Sequence, residues 1–145
     1  MTATERPLQR WRDLVHGKLR RQVTLPALIG FIQLIMAGAS IGKGEVPAAV
    51  LLWLIPALLV GFAFGRATRV SWDSETSQAV LVGGQVLLTL AWLAVQVGAR
   101  PVLTRALGDL SFAGAITMVM AGGLVIGHAL ALLSRIGQAL RSPDD

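Results

Sequence analysis

The chain has 145 residues and no cysteine, which removes disulfides, thiolate metal sites and thiol catalysis together. It is also poor in charge, with 14% Asp, Glu, Lys and Arg where a soluble domain carries roughly a quarter. Hydrophobic residues make up 54%, and a water-soluble surface cannot be built from the remainder. Most telling is where charge is missing: residues 22–41, 46–65, 76–99 and 110–134 contain no Asp, Glu, Lys or Arg. Each run has about the 20 residues that a helix needs to cross ~30 Å of hydrocarbon. The runs are apolar on every side, without the alternation of a membrane β-barrel, so helices are the spanning form they predict.

What charge exists lies between and before these runs. Lys43 and Glu45 precede Pro47, Arg66 to Glu75 separate the second and third runs, and Arg100 to Asp109 separate the third and fourth. The formal net charge of +5 does not point to nucleic acid, because six of the thirteen Lys and Arg residues precede residue 22, at a membrane edge. With four spans, ten cations fall on the side of the two termini and three (Lys43, Arg100, Arg105) on the other. The positive-inside bias then places both termini in the cytoplasm and the chain in the inner cell membrane. Ala37-Gly38-Ala39 imitates a signal-peptide cleavage site, but the 21-residue charged leader is long for that purpose, and an intact first helix is expected.

The expected architecture is an all-α membrane protein: an antiparallel four-transmembrane-helix bundle over 22–134, preceded by an interfacial amphipathic helix at 1–21 and followed by a cytoplasmic tail at 135–145. In the leader, Leu8, Trp11, Leu14, Val15 and Leu19 share an arc of ~140° on a helical wheel, while most of the charged residues lie outside it. Trp11, Lys18, Arg20 and Arg21 are the expected anchors to anionic headgroups, with Lys18 reaching out of the apolar arc along its aliphatic stem.

Within the spans, glycine pairs at four-residue spacing (Gly38 with Gly42, Gly61 with Gly65, Gly123 with Gly127) offer bare ridges on which helices can approach closely, either inside one subunit or between copies. Pro56 is expected to bend the second span, and Pro26 stands near the start of the first. In the third run, Gln78, Gln85, Thr89, Trp92 and Gln96 fall within ~60° of arc. Turned to lipid, that face would strand amides in hydrocarbon, so it is expected to face the bundle interior or a subunit interface. Matching depths predicts three hydrogen-bonded layers: Gln85 with His128, Gln33 with Thr89, and Gln96 with Thr117 and Ser40.

His128 is the one titratable side chain in these runs, hence the first suspect for chemistry. It lacks a companion, however, since His16 lies in the leader and no carboxylate shares its depth, so no metal, haem or other cofactor is assigned. Met36, Met118 and Met120 form no spaced motif, and methionine is common filler in apolar cores. Ser40 and His128 are separated by about 25 Å of helix rise and cannot form a catalytic dyad. Without Asp or Glu in any span, carboxylate-based proton coupling is also excluded. The reading is a non-enzymatic protein without catalytic residues, an accessory or assembly subunit that packs against other membrane proteins or itself. The alternative is an oligomeric pore, holin-like or for small solutes.

The segment Gly65-Arg66-Ala67-Thr68-Arg69-Val70-Ser71-Trp72-Asp73, with Val80, Gly83-Gly84, Leu87-Leu88, Trp92 and Arg100, resembles the CcdC-like small membrane proteins. That resemblance implies four helices, no assigned biochemical activity and no recognised catalytic residues. It also implies a small hairpin in the second loop, which the alternation of Val70 and Trp72 against Val80 and Val82 would fit. In that case helix three begins near Gly83, and Gln78 leaves the polar face.

Overall fold

The structure is a computed structural model that describes residues 17–73, 78–82 and 85–139. Apart from one two-stranded hairpin, the described elements are helical, and four helices are long and apolar enough to cross a membrane: Arg21–Gly42, Ala48–Ala67, Val86–Leu107 and Leu110–Gln138.

Helix α1 (Gly17–Gly42) accommodates Pro26 and stops at a glycine-built cap. Gly44 takes φ 73°, a left-handed conformation that leaves a side chain strained, and the turn returns Gly44 N–H to Ile41 O at 2.9 Å and Glu45 N–H to Ser40 O at 3.0 Å. After Pro47, a 3-10 segment (Ala48–Trp53) runs directly into α2 (Leu54–Ala67). Pro56 therefore sits in the first turn of the α-helical portion, not in the middle of a regular helix as expected. Its missing N–H falls where the ladder changes from 3-10 to α, a position where no regular α bond is forfeited.

The second loop is an antiparallel hairpin of β1 (Arg69–Asp73) and β2 (Gln78–Val82), with Val70 opposite Leu81 and Trp72 opposite Ala79. The expected third span at 76–99 is thereby corrected. Residues 78–82 are strand, and α3 (Gln85–Leu93) continues through a π segment (Ala94–Ala99) into α4 (Arg100–Leu107). The third apolar helix is thus displaced toward the C-terminus and takes in Arg100 and Arg105, which the charge-free rule had assigned to a loop. Pro101 supplies the reason for the π segment. It has no N–H to give Val97 O and its ring crowds that carbonyl, so the preceding turn widens.

At Gly108, φ 69°, the helix is closed by a bond from Gly108 N–H to Thr104 O. Asp109 then caps α5 (Leu110–Ala139): its Oδ1 accepts from Ser111 N–H at 2.7 Å and Phe112 N–H at 3.1 Å.

This last helix is the hub. Its apolar window is 72% buried, against 11%, 22% and 6% for the first, second and third apolar helices. Both α1 and α2 pack along it, and Ala37, Val46, Val50, Ala115, Ile116 and Val119 form one core cluster. Conversely, Phe31, Leu52, Leu59 and Val86 are among many large apolar side chains left exposed, the surface expected where lipid is the solvent. Gly17–Arg21 is continuous with the first apolar helix, so no break separates the basic residues Lys18, Arg20 and Arg21 from the span. The remainder of the expected amphipathic helix, Trp11 included, lies outside the described residues, as does the tail beyond 139.

Candidate functional site

Two of the three glycine pairs build the α2–α5 contact. Gly61 and Gly65 lie on Leu124 and His128, and Gly123 and Gly127 lie on Ala57 and Leu58, so the two helices run parallel and interlock backbone to backbone. A Cβ on Gly61 would stand 1.9 Å from Leu124 O, and one on Gly127 would stand 2.2 Å from Leu58 O. A Cβ on Gly38 or Gly42 would meet no other helix within 4 Å among the described residues. A further contact, Gly30 against Gly122, fixes α1 on the hub, with 2.8 Å between a Cβ on Gly122 and Gly30 O. No four-residue glycine spacing announced it, although the doublet Gly122-Gly123 supplies bare surface on two sides of α5 at one level.

Among the described side chains no hydrogen bond links Gln33 with Thr89 or Gln96 with Thr117 and Ser40, while the expected Gln85–His128 layer falls on a side chain outside the described set. Thr117 Oγ1 donates to Ala113 O of its own helix at 2.6 Å, which satisfies a buried hydroxyl without linking helices. Gln33 Oε1, Trp92 Nε1 and His128 Nδ1 are buried with no hydrogen-bond partner, and His128 is only 4% exposed. His128 is buried and Gln33 half-buried, with one polar atom of each enclosed and unpaired. Thr89 is exposed and engaged in an interaction, Gln96 is half-buried, and the side chain of Gln85 lies outside the described set. The polar face of the third helix is therefore not sealed in the core. The physical reason is the hairpin: it delays the start of α3, and the helix that follows leans on α5 only lightly.

Between α1, α3 and α5 this leaves a groove of about 150 Å³, lined by Pro26, Ile29, Leu88, Thr89, Trp92 and Val125. The indole N–H of Trp92 is its unsatisfied donor. One turn further along, Gln96 sits inside the π segment, where the widened ladder changes the direction of the side chains relative to a regular helix.

A second polar contact ties the hairpin end together. Arg135 Nη1 of α5 donates to Thr68 O, the carbonyl just past α2, while Thr68 Oγ1 donates to Phe64 O at 3.0 Å. A guanidinium on the last carbonyls of a helix is favoured by the partial negative charge there. Arg135 opens the expected cytoplasmic tail at 135–145, and nothing in its spacing named a carbonyl as its partner.

Among the described residues, no group of three or more His, Cys, Asp or Glu side chains is arranged to hold a metal ion. The arrangement offers close helix packing and a partly open groove beside the third helix. Compared with known proteins, the chain matches no family model, no curated protein and no solved structure.

Proposed function

We propose that the chain is a multi-pass protein of the cell membrane, with its four apolar helices crossing in alternating directions and both termini cytoplasmic, and that it serves as a non-enzymatic accessory or assembly subunit. One observation carries the proposal. The third apolar helix is the least buried of the four, yet it bears Trp92 and Gln96 on one face. Trp92 Nε1 is buried without a hydrogen-bond partner and Gln96 is half-buried, so polar capacity at the margin of this helix is left unmet, and a neighbouring helix could meet it where lipid cannot. A protein whose hub is closed by glycine contacts and whose third helix is open is suited to add that helix to another assembly. The resemblance of residues 50–100 to the CcdC-like proteins, which implies no recognised catalytic residues, is compatible with a non-enzymatic role, and the ten-to-three distribution of cations supports cytoplasmic termini.

Because the chain has no cysteine, a single Leu93→Cys substitution places one thiol on the polar side of this helix, at a position 43% exposed. Extraction in mild detergent after thiol crosslinking is expected to give a discrete adduct, with another membrane protein or a second copy, whose yield falls in a Gln96→Leu background. A monomer without adduct would remove the assembly role. Solute flux through liposomes containing the purified protein alone would replace it with the pore.

A further inference from the structure

Arg100 is the charged residue furthest from a helix end in any of the four apolar helices. It stands seven residues before Leu107, the end of its span, which is about 10 Å along the axis. Its surroundings are those of a lipid-facing surface: Arg100 is exposed, and Val97 and Val102 on either side of it are 70% and 64% exposed. The guanidinium extends over Gly114 of α5, where a Cβ would stand 4.0 Å from Nη2. No carboxylate pairs with it among the described residues, and the nearby Asp109 has an oxygen committed to the backbone of α5. Even the backbone around it is occupied, since Thr104 Oγ1 donates to Arg100 O at 2.9 Å.

A cation at this depth without a counter-charge is unstable in hydrocarbon unless it reaches an anion nearer the surface. The side chain is long enough to snorkel along an apolar stem, and its planar fork matches two oxygens of one phosphate. We infer that Arg100 is a phospholipid site, binding in the leaflet nearest α4 the headgroup phosphate of an anionic lipid, whose charge no headgroup ammonium offsets. This is the end of the molecule opposite the hairpin and Arg135, so the site is distinct from the basic leader. Lipid is favoured over a partner's carboxylate because the bare aliphatic surface beside Arg100 gives the acyl chains of the same molecule a place to lie.

The full chain carrying Val102→Cys is labelled with a fluorophore and placed in phosphatidylcholine nanodiscs. These contain a minor fraction of either phosphatidylglycerol or phosphatidylcholine bearing a headgroup quencher. Quenching by the phosphatidylglycerol is expected to exceed that by the phosphatidylcholine. Arg100→Gln should lower the apparent affinity behind that excess about tenfold, the effect of losing one charge-assisted contact. Arg100→Lys should retain part of the excess, and Arg66→Gln at the opposite end should retain all of it. Equal quenching by the two lipids with Arg100 in place overturns the assignment without recourse to any variant at that position. Two other outcomes do the same: an excess that survives Arg100→Gln, or one abolished by millimolar inorganic phosphate, which would make the ligand a soluble anion.

Discussion

Glycine decides more of this structure than any charged residue. At Gly61 the space for a methyl group is already filled by the carbonyl of Leu124, so Gly61→Ala must push two helix backbones apart. A loss of about 1–3 kcal/mol is expected, read as a lower midpoint of unfolding in detergent. Gly38→Ala, with open space around it, should leave the unfolding free energy unchanged or raise it by up to about 1 kcal/mol through helix propensity. The two substitutions look alike in sequence, and each glycine belongs to a four-residue pair. What separates them is which face of the helix meets α5, and spacing alone does not carry that information. His128 poses the opposite case. Its depth marked it as buried, correctly, but a buried ring nitrogen without a partner contributes nothing that a leucine would lose. His128→Leu is therefore expected to leave the unfolding midpoint unchanged or to raise it, because no partner is orphaned. A sharp drop on that substitution would show that the imidazole holds something.

At the scale of the element, the third apolar helix shows why charge-free runs locate a span but not its frame. The run at 76–99 was bounded by Glu75 and Arg100, and hydropathy treats Ala79, Val80, Leu81 and Val82 alike whether they lie in strand or helix. The hairpin uses those residues, and the helix makes up its length by continuing past Arg100 and Pro101. The alternation of Val70 and Trp72 against Val80 and Val82 did signal the strands, although in the structure Val70 pairs with Leu81. The π segment was not legible, since it arises from a proline placed inside a helix that charge counting had already ended. Pro101→Ala restores an N–H opposite Val97 O and is expected to return residues 94–99 to regular α geometry. Spin labels at Leu90→Cys and Val102→Cys would report a changed distance between α3 and α4, and an unchanged distance would assign the π segment to another cause.

For the whole molecule, burial is distributed unevenly, and the order of opening should follow it. Amide exchange in detergent is expected to be slowest in the middle of α5, where the apolar window is 72% buried, and fastest among the apolar helices in the third, Val86–Leu107, where it is 6%. The number of apolar helices was plain from composition, because a run of about 20 uncharged residues has few other uses. The hub was not, because α5 differs from its neighbours in packing and hardly in hydropathy. That hub follows the other helices along the chain, which bears on how the protein is made. A ribosome delivers α1, α2 and α3 to the bilayer before the surface they rest against exists. They must wait in lipid as separate, weakly associated rods for the seconds that further synthesis takes. Only the arrival of α5 lets them condense, so a stalled or shortened chain would leave three loose segments for the quality-control proteases to find.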